Sequence, residues 1–307
     1  MTDLELCYLP ATEALQRFKS KTLSPVELLD AMLQRIEETE PVINALTFKH
    51  FDEARDRAKK AENKYVLGKR TGALEGLPIG IKDESYIKGK PTSNGSLIKK
   101  DFVADTTSVN NQRILRAGAL VHARTATPEF SCAGYTNSRL WGVTRNPWNP
   151  QLTPGGSSGG SAASLAAGTS SIATGSDIGG SIRIPAATCG LVGYKPPYGR
   201  NSDDSPFNLD FYCHTGPLAR TVSDAILLQN VLCGPHPKDI STLRSCHSDG
   251  VGPNGYRDHS PNLFPSPAKE AVSANRSDGL QGSRTHWRHS KALHSFTGVQ
   301  CSQTRTT

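Results

Sequence analysis

Apolar residues recur at helical spacing near the start of the chain and later break into short runs separated by glycine. Val26, Leu28, Leu29, Met32, Leu33 and Ile36 define one helical face. Ser24-Pro25-Val26-Glu27 opens it with a capping serine, Pro at the first helical position and a glutamate three residues after the cap. Pro41 is predicted to stop this helix, and a second, more polar helix is predicted over about residues 50–64, ending before Gly68. From Leu77 the texture changes. Leu77-Pro78-Ile79-Gly80-Ile81 and Ala119-Leu120-Val121 read as buried strands, with a helix carrying Val109, Ile114 and Leu115 between them. Ser171-Ile172-Ala173-Thr174 and Gly190-Leu191-Val192-Gly193 predict two further strands, and Asp224 to Leu232 a helix opened by Thr221-Val222-Ser223. Strands alternating with helices predict an α/β fold, a sheet flanked by helices.

This grammar ends near Arg244. From Ser241 to Thr307 only nine residues are Val, Ile, Leu, Met or Phe, whereas Ser, Gly and Pro number 21, too little apolar surface to offset the entropy of ordering. The expected organisation is an N-terminal helical layer over 1–70, a core over 71–244 and a disordered tail over 245–307. The tail also explains much of the charge. Of the net +7, residues 241–307 contribute +4, from eight Lys/Arg against four Asp/Glu. The nearly balanced body has no basic stripe, so no nucleic-acid partner is expected. Five histidines in the tail (His247, His259, His286, His289, His294) lack metal-ligand spacing. The seven cysteines include no C-x-x-C pair, so no metal and no disulfide framework is expected. No apolar run approaches the roughly 20 residues of a membrane helix, and the acidic start Met1-Thr2-Asp3-Leu4-Glu5 matches no leader peptide. A cytoplasmic protein without membrane contact is the expectation.

Candidate chemistry concentrates in two glycine-serine segments. The first is Pro154-Gly155-Gly156-Ser157-Ser158-Gly159-Gly160-Ser161, and the second is Gly175-Ser176-Asp177-Ile178-Gly179-Gly180-Ser181-Ile182-Arg183. Glycine lets backbone N–H groups converge on an anion, and serines in such turns can serve as nucleophile and proton relay. A flexible linker would not run into the helix-forming stretch from Ala162 to Ala167. A phosphate loop would need Lys where Ser161 stands. Residues 155–159 satisfy G-x-S-x-G, but the two prolines before them, Pro150 and Pro154, rule out the strand that a nucleophile elbow requires. Ser96-Leu97-Ile98-Lys99 fits S-x-x-K without its companion motifs.

Together with Gly80-Ile81-Lys82-Asp83, these segments closely resemble the amidase signature family of C–N hydrolases. Further pieces in family order are Gly76-Leu77-Pro78, Thr92 with Gly95-Ser96, Thr127-Pro128-Glu129-Phe130, Asn146-Pro147-Trp148-Asn149 and Gly216-Pro217-Leu218-Ala219-Arg220. The resemblance covers roughly residues 20–244 and implies a mixed-sheet core, a small-molecule amide substrate and no cofactor. It implies Ser181 as nucleophile, Ser157 as relay on a cis peptide to Gly156 or Ser158, and Lys82 as general base. Backbone N–H groups of Ile178, Gly179, Gly180 and Ser181 would form the oxyanion hole, with Ser158, Asp177 and Arg183 in support. A lysine base must be uncharged, and burial beside Ile79 and Ile81 is the expected means. Ser157 would then pass its proton to Lys82 while taking one from Ser181, which attacks the carbonyl. Lys82 returns the proton to the leaving amine, and water releases the acid.

Subunits that generate ammonia for tRNA amidation typically carry Gln after the motif arginine, whereas Ile184 follows Arg183 here. A stand-alone amidase is therefore expected, with a tRNA-amidotransferase A-type subunit or a truncated inactive fragment as alternatives. Family members run considerably further, so the fold is expected to be incomplete, and the sequence past Arg244 reads like a frame change. The resemblance also allows a homodimer, the state open to full-length relatives. Elsewhere, Cys189 is expected in the core, Trp141 and Trp148 as packing anchors, and Tyr194, Lys195, Tyr198 and His214 as pocket or loop residues.

Overall fold

The computed structural model describes residues 2–205 and 207–243. The chain divides into two units, Met1–Phe264 and Pro265–Thr307, and every described residue falls in the first. The expected tail over 245–307 lies outside the described residues.

The N-terminal segment forms helices α1 (Asp3–Cys7), α2 (Ala11–Ser20) and α3 (Pro25–Ile43), strand β1 (Leu46–Lys49) and helix α4 (Phe51–Val66). The Ser24 capping box is formed, Ser24 Oγ accepting from Val26 N–H at 2.9 Å and Glu27 reaching back to the Ser24 N–H at 2.8 Å. Pro41 does not stop α3, which runs to Ile43 with the proline in its last turn. The proline forfeits the one bond that an N–H at 41 would give to the Glu37 carbonyl, and the buried Ile43 keeps the turn packed. The true stop is Asn44, left-handed at φ 52°, after which Glu40 accepts from the N–H groups of Ala45 and Leu46 at 3.1 and 3.0 Å. Nor is this segment only a helical layer, because β1 joins the sheet.

The remaining elements are β2 (Pro78–Lys82), α5 (Val109–Arg116), β3 (Leu120–Thr125), β4 (Asn137–Ser138), β5 (Gly142–Val143), α6 (Gly159–Ala166), β6 (Ile172–Asp177), α7 (Arg183–Cys189), β7 (Val192–Gly193), β8 (His214–Ala219) and α8 (Val222–Leu232). Six strands make one mixed sheet in the order β1-β3-β2-β6-β8-β7, while β4 and β5 pair separately. Parallel β3, β2 and β6 form its centre, and antiparallel β8 adds to β6 with Ser176 opposite Thr215 and Asp177 opposite His214. Strand β8 has no strong signal in the sequence, since Gly216 and Pro217 interrupt it.

Alternation along the strands places helices on both faces. Ile79, Ile81, Ile172 and Ala219 join Phe18, Leu28, Met32, Ile114 and Leu228 in the largest apolar cluster. Their neighbours Ala173 and Leu218 turn instead to Ala162, Leu165, Ile182 and Ala186 of the α6–α7 side. The mixed α/β architecture read from the sequence is therefore the observed one. It also places the site, because neighbouring parallel strands β2 and β6 end side by side at Lys82 and Asp177, and crevices at the carboxyl ends of such strands are where α/β proteins bind ligands.

Candidate active site

Lys82 ends β2 with its side chain 1% exposed. Its backbone N–H donates to Thr174 Oγ1 of β6 at 3.1 Å, and its carbonyl accepts from buried Arg124 at 3.0 Å. Lys82 Nζ lies 2.8 Å from Ser157 Oγ, 2.8 Å from Ser176 Oγ and 3.1 Å from Glu84 Oε2. The expected burial is present, but the surroundings are not only apolar. Burial works to raise the Glu84 carboxyl, yet the Lys82 charge and hydrogen bonds from Ser131, Ser176 and Lys82 hold it below the ordinary carboxylate range. Behind them, burial pushes the Asp83 carboxyl up to about 6 against the opposing charge of Arg124.

The Ser157 turn is fixed by close backbone packing. The peptide between Gly156 and Ser157 is cis. A Cβ on Gly156 would come within 2.7 Å of the Tyr135 backbone, and one on Gly160 within 2.3 Å of Ala126 N, so neither position admits a side chain. Thr136 Oγ1 donates to the Gly155 carbonyl at 3.0 Å and accepts from Gly159 N–H at 3.1 Å. Helix α6 then leaves from Ser158.

Ser158 ties the two glycine-serine segments together. Its N–H donates to the Ser181 carbonyl at 3.2 Å, and its hydroxyl accepts from Ser176 N–H and donates to the Ser176 carbonyl, both at 3.3 Å. Ser181 is half-buried, and its hydroxyl has no hydrogen-bond partner among the described residues. The geometry thus joins Lys82 directly to Ser157 and brings Ser181 to the same turn through backbone.

The loop after β6 is held by Asp177, which is fully buried. Its carboxylate accepts from Arg183 Nε and Nη2, each at 2.9 Å, and from the N–H groups of Gly180 at 2.7 Å and Ile182 at 3.2 Å. Burial would raise this carboxyl, but the guanidinium and backbone donors outweigh it and hold it at about 2. Because Gly180 N–H is committed to Asp177, the three of the four expected donors without a partner among the described residues are those of Ile178, Gly179 and Ser181. Gly179 and Ile178 are exposed, as an open anion cup requires.

A depressed carboxyl stabilises the fold fully above its unfolded value, about 3.9, and loses that contribution as pH falls through about 2. The unfolding free energies of wild type and Asp177→Asn, measured from pH 7 to pH 2, should differ by a constant amount above about pH 5. The gap should shrink below about pH 4. A gap independent of pH would remove the clamp from this account.

The family model described as Amidase matches residues 27–262. The chain belongs to the amidase family. The match runs past Arg244, where the sequence reading placed its end. Among curated relatives, the A-type subunit of glutamyl-tRNA(Gln) amidotransferase from Gloeothece citriformis is 41% identical over 232 residues, covering 74% of this chain and 47% of the relative. The protein of the same name from Carboxydothermus hydrogenoformans is 40% identical over 243 residues, covering 78% and 50%. Among solved structures, a bacterial aryl acylamidase of the amidase signature family superposes with a TM-score of 0.73 at 36% identity, covering 77% of this chain and 50% of that one. This amidase chain therefore spans about half the length of the relatives it matches.

Other residues singled out in the sequence have plainer places. Cys189 is buried, its thiol raised to about 11 by burial. Trp141 packs edge-on against Phe48 at 5.0 Å and donates to Ser93 at 2.9 Å. Trp148 is 74% exposed, so it is no packing anchor, although its indole N–H reaches the Cys189 carbonyl at 2.8 Å. His214 is buried in β8, its ring nitrogen against the Cys213 carbonyl, and burial lowers its pKa. Sequence reasoning missed Ser176 and Glu84. Ser176 stood inside the quoted motif, and the Lys82-x-Glu84 spacing was the only signal for the second. Among the described residues, no helix is long and apolar enough to cross a membrane.

Proposed function

We propose that this site hydrolyses the C–N bond of a small carboxamide through an ester on Ser181. Ser157 relays the Ser181 proton to Lys82, and Lys82 then protonates the leaving amine. The observation that carries the reading is the 2.8 Å bond from Lys82 to Ser157, two buried groups 75 residues apart in sequence, in a turn that Ser158 pins to Ser181. A buried lysine touching only hydroxyls and one carboxylate is suited to moving a proton along a serine pair. The oxyanion of the tetrahedral intermediate would be met by the N–H groups of Ile178, Gly179 and Ser181; Gly180 contributes only by leaving Asp177. Ser158, Asp177 and Arg183 hold these donors in place.

The curated relatives named for amidotransferase favour a second reading, in which the amide nitrogen passes on within a larger assembly. Ile184 argues for the stand-alone hydrolase. It is 40% exposed and lies against the Gly180 turn, where a Cβ on Gly180 would come within 2.7 Å of its Cδ1. An apolar wall beside the proposed donors suits an apolar acyl group better than the polar amide of glutamine. Cytoplasmic location, and the homodimer open to full-length relatives, belong to this same reading.

The test is hydrolysis by the purified chain alone. Release of aniline from an aryl acylamide, exceeding release of ammonia from glutamine, supports the stand-alone reading. Ammonia release that appears only with added partner proteins supports the second. No turnover of any amide by a folded chain marks it as an inactive fragment.

A further inference from the structure

Lys82 Nζ has more partners than a relay needs. Besides Ser157 it contacts Ser176 Oγ at 2.8 Å and Glu84 Oε2 at 3.1 Å. Glu84 follows Lys82 through a tight turn, its N–H donating to the Lys82 carbonyl at 2.8 Å. Its carboxylate is fixed from the far side by Ser131 Oγ at 2.6 Å, which in turn contacts Thr127 at 3.0 Å and Asn94 at 3.3 Å. Ser131 and its neighbour Phe130 are left-handed, φ 59° and 52°, so the turn that presents Ser131 is a specific one.

Counting donors gives these contacts a direction. Ser176 Oγ accepts from Lys82 Nζ at 2.8 Å, and a carboxylate only accepts. Glu84 receives from Lys82 as well. An uncharged amine has two N–H groups and one lone pair. With both N–H groups engaged by Ser176 and Glu84, the lone pair is left for the Ser157 proton. Resting on the hydrolase reading above, we propose that Glu84 is a positioning residue: with Ser176 it takes up both N–H donors of neutral Lys82 and aims the amine lone pair at Ser157.

The carboxylate has a second consequence. The negative charge of Glu84, 3.1 Å from the amine, attracts the protonated form of Lys82 and is lost in Glu84→Gln. Other charged or titratable groups around the pair are Asp83 and Arg124 behind β2, Cys213 before β8 and Asp203. Arg124 is lowered to about 10 by burial and stays cationic through neutral pH. Burial raises the Cys213 thiol to about 12, leaving it neutral. Asp203 is raised to about 6 by burial, with Glu84 among the charges acting on it. Among the described residues, the charged group in contact with the amine is Glu84.

The test uses the full chain and two readouts. The first is the pH profile of Ser181 labelling by a fluorophosphonate. Glu84→Gln keeps an accepting oxygen and loses the charge, so the acid limb should move about one pH unit lower with the plateau nearly kept. Glu84→Ala should move the limb likewise and lower the plateau by about 10²-fold. A merely structural role would leave the limb in place. The second readout needs no chemistry at Ser181. The Glu84 ¹³Cδ resonance, assigned by its loss in Glu84→Gln, should titrate at higher pH in Lys82→Met than in wild type. Unmoved acid limbs in both Glu84 variants, or an unmoved Glu84 titration in Lys82→Met, overturn the proposal. A folded wild type that takes no label overturns the hydrolase reading instead, and the carbon titration then decides the pairing by itself.

Discussion

Ser181→Ala lowers carboxamide turnover by about 10⁴- to 10⁶-fold, while the affinity for an unreactive amide analogue stays within a factor of a few. The nucleophile is made only by the hydroxyl, so its loss closes the covalent route. What survives is whatever the backbone N–H groups of residues 178, 179 and 181 provide by polarising the carbonyl. The fold should be indifferent, since the Ser181 hydroxyl has no hydrogen-bond partner among the described residues and its structural contact is the carbonyl bond to Ser158. An unchanged thermal midpoint beside the lost rate is therefore part of the expectation. Steady-state rates, calorimetric binding and a melting curve on the same preparation check it. A variant that retains more than about a hundredth of the rate moves the nucleophile elsewhere.

Lys82→Ala should be milder in rate and worse in stability. Loss of a general base that also acts as general acid costs about 10²- to 10⁴-fold, falling on kcat with KM little changed because Lys82 lies beneath the serines and is 1% exposed. Removing the amine also strips Glu84 of its counter-charge. That carboxylate is a fifth exposed, so the cost is a discounted one, about 1–3 kcal/mol. Lys82→Arg should not restore the rate, because a guanidinium remains protonated and offers no lone pair to Ser157. Kinetics of the three proteins, with denaturant unfolding of each, separate the two losses. Recovery of turnover in Lys82→Arg would show that only positive charge is needed there.

The central strands and the glycine-serine turns that carry the proposed triad were legible because each carries a local signal. Ile79 and Ile81 mark a buried strand, the Ser24 box marks a helix start, and the two glycine-serine segments stand out from any linker by the helix that follows. Strand β8 was silent, since Gly216 and Pro217 contradict a strand locally and only pairing with β6 makes one. The end of α3 was misread because the burial of Ile43 and the left-handed Asn44 cap carry the helix two residues past the proline. Within the site, residues joined by contacts across the fold escaped the sequence. Ser176 and Glu84 reach Lys82 only once β2 and β6 lie parallel and Ser131 holds the carboxylate in place. The engagement of Gly180 N–H by Asp177 at 2.7 Å is likewise a contact that no motif encodes.

The most direct measurement is to treat the purified chain with a fluorophosphonate, digest it and locate the phosphonylated serine by mass spectrometry. A single adduct on Ser181, slowed strongly in Ser157→Ala and in Lys82→Ala, is the predicted result. An adduct on any other serine, or labelling of Ser181 at the wild-type rate in both variants, contradicts it.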